Sequence, residues 1–275
     1  MPQADAVLGW TPFRPTQADL ARIAAEVAPV HDLQRRLVEA HPDLAVPDRL
    51  AHQCQIAGGR VRLDVAAALP APLQGVGLFQ PGAVHDGIGR ISTGLGCPHA
   101  ETDPDFLGLM LAFRAPAGRR VDFLAINDPT APTDDHRAFM ALLAATADSA
   151  APFGSGLGVV DLAVAQTRLA ASLVHGLGVV GGTRVATHVL GQTATTWRSS
   201  SAWQSYWTGI VELRGTAGKF RFTPTEDANP HRPANPPEHH LTRDWQSRQA
   251  AGPVAFDLAW LPFQDQDTTS TEALT

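Results

Sequence analysis

Two hydrophobic patterns follow one another along this chain. Over residues 17–40 apolar side chains recur at spacings of three and four, the period of one helical face. Thr16 followed by Asp19 is a typical start for a capped helix. From Gly58 onwards apolar and polar residues alternate instead, which is the period of a strand with one buried face. We therefore predict a helix or helix pair over residues 17–40, followed by a region of strands.

The later pattern predicts eight short strands in two groups, with helices between and after them. The predicted strands cover residues 60–65, 75–82, 87–93, 107–114, 120–126, 207–212, 219–223 and 254–261, and the predicted helices residues 136–147, 159–177 and 240–251. Short links and alternation favour an antiparallel meander that closes on itself. The expected class is α+β, with an N-terminal arm over residues 1–15, one domain over 16–263 and a flexible tail over 264–275.

Composition narrows the class of protein. Hydrophobic residues make up 44% and charged residues 17%, as in folded globular proteins. The formal net charge of −6 comes without a basic block, so we expect no nucleic-acid partner. Cys54 and Cys97 form no CxxC pair, which argues against a zinc site or a disulfide scaffold. No run predicts a membrane span, and no basic N-terminal region predicts a secretory signal, so a cytoplasmic location is expected.

Five polar residues around the first strand group are candidates for chemistry. They are Arg49, His52, Arg90, Ser92 and Asn127. If consecutive strands bring them together, they form a polar site in an apolar wall. Each also has a structural interpretation. His52 could be a satisfied core histidine, Arg90 a rim cation, and Asn127 the first residue of an Asn-Asp-Pro turn.

The chain resembles the catalase superfamily, and best its short catalase-like heme proteins. The resemblance covers roughly residues 45–275 at low identity and rests on the order and spacing of several segments. These segments are the step from Arg49 to His52 and residues 77–79, 89–92, 108–110, 122–129, 197–206, 219–224 and 252–272.

The resemblance implies a heme pocket in a catalase-like antiparallel eight-stranded β-barrel with helical insertions. The implied catalytic residues are His52 as distal acid/base, Ser92 and Asn127, and the implied cofactor-binding residues are Arg49, Arg90 and Ala51. A neutral imidazole next to a peroxide can take a proton from one oxygen and return it to the other. The implied substrate is hydrogen peroxide or a small organic hydroperoxide. A homo-oligomer is a further open expectation.

Two departures from the family pattern keep a second function open. In heme catalases the iron is held by a tyrosinate from a motif late in the chain, with an Arg four residues before it. Here the single tyrosine, Tyr206, falls in the Trp- and Ser-rich segment instead. Ile126 occupies the position of the family's catalytic amide, and Asn127 follows one place later. The alternative is therefore a heme-free protein of the same fold with a binding or structural role.

Overall fold

The computed structural model describes residues 14–40, 51–52, 54–94, 100–102, 105–116, 118–131, 133, 136–149, 159–195, 200–225 and 239–264. Most of the predicted arm over residues 1–15 and of the tail over 264–275 lies outside these ranges. Arg49 also lies outside them.

Eight strands and five helices make up the described chain. The strands are β1 Gln55–Asp64, β2 Val84–Thr93, β3 Leu107–Arg114, β4 Arg120–Ile126, β5 Tyr206–Thr208, β6 Val211–Leu213, β7 Thr216–Pro224 and β8 Phe256–Pro262. The helices are α1 Gln17–Ala25, α2 Val27–Ala40, α3 His136–Ser149, α4 Val159–Thr195 and α5 His240–Ala251.

The local predictions hold where the hydrophobic pattern is long and regular. The helix pair is confirmed, and Thr16 caps it: its Oγ1 accepts from the Asp19 amide at 3.2 Å, while Asp19 Oδ2 accepts from the Thr16 amide at 3.0 Å. The bounds of β3 and β4 match the predicted ones. The strand predicted over residues 75–82 is wrong. Turns fill that stretch, and Gly75 and Gly77 have φ values of 70° and 53°, which extended strands do not adopt.

The strands form one antiparallel sheet in the order β1-β2-β3-β4-β5-β7-β6, with β8 also paired to β7. The sheet has eight antiparallel strands, as expected, because the single strand predicted over residues 207–212 is two strands, β5 and β6. The predicted closed barrel is wrong because the sheet stays open. No pairing among the described residues joins β1 to the β6 or β8 side. Helix α5 lies next to β1 instead: Gln249 Nε2 is 3.6 Å from the point where a Cβ on Gly59 would stand. Because a Cβ points away from the face of its sheet, this contact places α5 on a face of β1.

One face of the sheet encloses an aromatic core. Phe123 of β4 is its centre, since its ring lies 5.3 Å from that of Phe220 and 5.7 Å from that of Phe222. Its edge-to-face contacts extend to Phe79 and Phe113. Leu241 and Trp245 of α5 complete the same core. Because side chains alternate along a strand, the residues between these aromatics point to the opposite face.

Helices α3 and α4 form a separate bundle beside the sheet. Gly178 has φ 78° and breaks α4, and a Cβ on Gly182 would stand 2.3 Å from Val174 Cα. The two arms of α4 therefore fold back on each other, with Leu173 and Val189 buried between them and α3. Within the described chain, one stretch of α4, Gln166–Gly191, is long and apolar enough to cross a membrane by length and composition. The break at Gly178 divides that stretch, and buried helices of globular domains share its composition.

Candidate functional site

The face of the sheet opposite the aromatic core carries the candidate residues. Ile91 of β2 is buried in the core, so its neighbours Arg90 and Ser92 project to the other side. The strand register sets Arg90 opposite Met110 and Met110 opposite Leu124. A second row runs from Ser92 through Gly108 and Ile126 to Trp207. The period-two pattern of the sequence thus places the polar pair beside an apolar surface.

A cavity of about 240 Å³ opens on this face. Its polar wall includes His52, Arg90, Ser92 and Asp128, and its other lining residues are Gly108, Leu109, Met110, Leu124, Ala125, Ile126, Pro129, Thr130, Ala131, Trp207, Thr208 and Gly209. The polar side chains are few and the lining is predominantly apolar. That combination is typical of small-molecule sites.

The position of His52 at the cavity depends on its backbone conformation and on the glycine opposite its ring, Gly108. Its φ of 56° is left-handed, which is uncommon for a non-glycine residue and costs free energy. Its amide donates to Gly94 O at 3.0 Å. A Cβ on Gly108 would stand 2.3 Å from His52 Cε1, so the imidazole needs a glycine at that position of β3. The ring edge of Phe106 lies on another side, with centroids 6.1 Å apart.

The electrostatics favour a neutral imidazole. Burial lowers the pKa of His52, with the Asp105 carboxylate opposing this effect and the Arg90 guanidinium adding to it. Ser92 Oγ lies 3.2 Å from His52 Nδ1, within hydrogen-bond range. Ser92 is itself almost fully buried, which fixes its hydroxyl beside the ring. A neutral, oriented imidazole can accept a proton at its other nitrogen.

The structure brings three of the six predicted site residues together and leaves two others, Asn127 and Ala51, outside the cavity lining. His52, Arg90 and Ser92 line the cavity. Asn127 is buried beside it, and its Oδ1 accepts from the Leu107 amide at 2.7 Å, so its carbonyl group binds the start of β3. Ala51 packs on the small cluster of Leu33, Phe106 and Leu143. Arg49 lies outside the described residues.

The sequence predicted the turn that begins at Asn127, but not that the following loop forms one wall of the cavity. Asp128 Oδ1 accepts from Thr130 N at 2.8 Å and from Thr130 Oγ1 at 2.6 Å, which closes the loop on itself. His188 of α4 approaches Thr130 Oγ1 at 3.3 Å. Lys219 of β7 donates from Nζ to Pro129 O at 2.9 Å. Helix α4 and strand β7, which are remote in sequence, therefore hold the wall. No local sequence motif predicts these contacts.

Lys219 and His188 are both titratable groups in a poorly solvated place. Lys219 is only 4% exposed, and burial lowers the pKa of its amine, with Asp128 opposing the shift. Burial likewise lowers the pKa of His188, again against the attraction of Asp128, while Arg184 adds to the lowering. One signal was available in the sequence: a lysine between glycine and phenylalanine inside an alternating strand, at a position on the face opposite the core.

Tyr206 faces away from the cavity. It is fully buried in the aromatic core, opposite Phe222, and its hydroxyl donates to Ser201 O at 2.8 Å. Burial raises the pKa of the phenol. The next residue, Trp207, takes the cavity side of the same strand. The single tyrosine of the sequence is thus separated from His52 by the sheet itself.

Comparison with known proteins supports the fold. No protein-family model matches the sequence, and no curated protein matches it. Among solved structures, catalase A from Saccharomyces cerevisiae is similar with a TM-score of 0.50 and 12% identity over 93% of this chain and 50% of that one. A fungal catalase is similar with a TM-score of 0.48 and 13% identity over 92% of this chain and 55% of that one. The chain spans about half the length of these catalases. Its similarity to catalase A shows that its fold is catalase-like.

Proposed function

We propose that the cavity face of the sheet binds heme and that the protein processes hydrogen peroxide or a small organic hydroperoxide there. The observation that carries this proposal is the imidazole of His52, buried and held 3.2 Å from Ser92 Oγ at the wall of an apolar cavity next to Arg90. An acid/base group of ordinary pKa near neutrality, kept neutral by its surroundings, is what proton transfer on a peroxide requires.

The residues present fit one face of a porphyrin and one of its carboxylates. Met110, Leu124, Ile126 and Trp207 form an apolar shelf, and Leu124 is 69% exposed on it. Exposed apolar surface of this kind is typical of a binding site. The guanidinium of Arg90 beside the shelf suits a propionate. The cavity of about 240 Å³ is smaller than the range of roughly 300–1,000 Å³ for enclosing pockets, so these residues would hold the ring from one side.

Bound heme would supply the redox chemistry toward the peroxide O–O bond. The chain's own residues supply the proton handling. Ser92 Oγ at Nδ1 and a backbone hydrogen bond at Thr93 hold the imidazole of His52 in one orientation, from which the ring would take a proton from one peroxide oxygen and return it to the other. Met110 and Ile126 give the cavity an apolar wall beside that exchange. Arg90 binds the carboxylate and, as a neighbouring cation, helps to keep His52 neutral.

The test is reconstitution with hemin. We expect a Soret band that saturates at one heme per chain, and we expect His52→Ala to lower the rate of peroxide consumption at least tenfold while hemin affinity stays the same, as for loss of a general acid/base, which contributes about 10²–10⁴-fold. His175→Ala, in an exposed part of α4, is the matched control and should leave both quantities unchanged. An unchanged rate in the His52 variant removes the catalytic role.

Ser92→Ala tests the orientation of the imidazole separately. We expect a smaller fall in rate than for His52→Ala, because the imidazole stays present but loses the partner of Nδ1. Arg90→Leu should instead weaken hemin binding, since it removes the cation for the propionate and keeps the apolar stem. If Arg90→Leu binds hemin as the unsubstituted protein does, the carboxylate role of Arg90 is wrong.

A second candidate function is a heme-free binding protein of the same fold. The position of Tyr206 favours it, because the family's iron ligand is a tyrosinate and this tyrosine is committed to the core. In that case hemin uptake would be weak and would not saturate at one per chain. The expectations for Asn127, Arg49 and Ala51, for a homo-oligomer and for a cytoplasmic location stay predictions.

A further inference from the structure

We infer that Asp105 is a positioning residue for His52: its carboxylate fixes the two neighbours, Gly94 and Phe106, that hold the backbone and the ring of His52 at the cavity. The inference rests on the proposed function in one respect, that His52 is the acid/base group of the site. Asp105 lies between the turn at residues 101–102 and strand β3, where the sequence alone indicates only a loop.

The carboxylate of Asp105 is buried and binds two backbone amides. Its exposure is 2%. Oδ2 accepts from Gly94 N at 2.8 Å and Oδ1 accepts from Phe106 N at 2.7 Å. Both distances are short for N–H···O bonds, as expected when the acceptor is ionised. One side chain therefore ties the end of β2 to the start of β3.

Both tied residues contact His52 directly. Gly94 O accepts from the His52 amide at 3.0 Å, so Asp105 acts on the His52 backbone through a single peptide unit. Phe106 presents its ring edge to the imidazole at a centroid distance of 6.1 Å and an interplanar angle of 82°. His52 has a left-handed backbone, which persists only where the surroundings impose it. The Asp105 bonds are part of that constraint.

The charge of Asp105 acts on the same ring. A carboxylate is an expensive group to bury, and a neutral amide could also accept a backbone hydrogen bond at lower desolvation cost. The Asp105 charge raises the pKa of His52. Burial and the guanidinium of Arg90, the other charged group that faces the ring, lower it. The carboxylate thus does two things that serve an acid/base histidine: it sets the position of the ring and keeps it able to accept a proton.

The experiment is an NMR titration of the His52 ring in protein labelled with ¹³C and ¹⁵N, without any added heme or peroxide. Asp105→Asn keeps the shape of the side chain and removes the charge, and we expect it to lower the pKa of His52. Asp244→Asn is the matched control, because it also removes a half-buried carboxylate, one that binds Arg248 Nε at 2.9 Å and not the His52 segment. The control should leave the His52 titration where it is.

Asp105→Glu separates charge from geometry. It keeps the charge on a longer stem, so we expect the His52 pKa to stay closer to that of the unsubstituted protein, while the ring signals broaden or shift because the bonds to Gly94 and Phe106 are misplaced. A His52 titration identical in the unsubstituted protein and in Asp105→Asn would overturn the inference. An effect of equal size in Asp244→Asn would also overturn it.

A measurement on the unsubstituted protein keeps the inference testable if the variants do not fold. The amides of Gly94 and Phe106 should exchange with solvent slowly at neutral pH, because both donate to a buried carboxylate. Fast exchange at both positions contradicts the inference. These readouts do not depend on peroxide chemistry. If hemin titration and His52→Ala remove the proposed function while the NMR result holds, the function fails and the positioning role of Asp105 stands.

Discussion

The two faces of the same sheet are built from alternate residues of the same strands, but they differ in burial and in packing. On the core face Ile91, Leu109 and Phe123 are each at most 6% exposed and pack with other strands and with α5. On the cavity face their neighbours include Arg90, Met110 and Leu124, which are half-buried or exposed. The first face is closed by aromatic contacts. The second face carries the cavity.

The comparison teaches that residue type alone does not tell the role of a position. Tyr206 belongs to the residue type that holds iron in the related fold, yet its face makes it a core residue. Lys219 is a cation, yet it is buried behind a cavity wall and serves the Pro129 carbonyl. The role of a residue depends on which face of the sheet the strand alternation gives it, and on the element that covers that face.

The largest expected contrast is between Phe123→Ala and Leu124→Ala. Phe123 contacts four other phenylalanine rings in the core, so its loss should lower the free energy of unfolding by about 3–5 kcal/mol. Leu124, the next residue, is 69% exposed and should change it by roughly 0.5 kcal/mol or less. Urea denaturation of both variants measures the difference. Similar losses would mean that the two faces are not distinct.

Tyr206→Phe tests the difference between the two faces at a second pair of neighbouring residues, Tyr206 on the core face and Trp207 on the cavity face. The variant keeps the ring in the core but leaves the Ser201 carbonyl without its donor, which should cost about 1–3 kcal/mol of stability. Hemin uptake should not change, because the phenol lies on the face away from the cavity. Altered uptake with unaltered stability would show that Tyr206 reaches the cavity side.

Acidification should lower the free energy of unfolding through two histidines at or near the cavity, His52 and His188. The pKa of His52 and that of His188 are lowered by burial from the ordinary 6.5, so the unfolded chain binds more protons than the folded one below that pH. The free energy of unfolding should therefore fall as the pH drops from about 6.5 toward the lower folded-state values. In His52→Gln the slope over this range should be smaller, as measured by urea denaturation at a series of pH values.

The outcome for His188→Gln decides whether both histidines contribute. We expect its slope to fall as well, and the double variant to lose roughly the sum if the two sites act independently. A slope that is the same in the unsubstituted protein and in His52→Gln contradicts the burial of the imidazole as the source of the pH dependence.

The smallest expected effect is at the bend of α4. Val179 and Val180 are the most exposed large apolar residues of the described chain, and they lie beside the break at Gly178. Their joint replacement by serine should change the free energy of unfolding by no more than about 0.5 kcal/mol for each. A loss comparable to that of Phe123→Ala would place these valines in a buried contact.

The sequence predicted much of the local structure and about half of the candidate site. Strands β3 and β4 have the predicted bounds because each is an uninterrupted strand-like run: β3 is continuously apolar up to Phe113, and β4 has alternating burial. His52, Arg90 and Ser92 line one cavity, and the catalytic and cofactor-binding roles that the resemblance implies for them stay predictions. The predicted strand over residues 75–82 is wrong because its glycines adopt turn conformations, and the closed barrel is wrong because the terminal strands do not pair.

By itself, the sequence determined which side of each strand a residue takes, because alternation is a property of the local backbone. Only the tertiary structure decided what lies across from that side. It brought Asp105 under Gly94, set His188 and Lys219 behind the loop that begins at Asp128, and turned Tyr206 into the core. These contacts depend on strand register and helix packing. The local hydrophobic period of the sequence specifies neither of them.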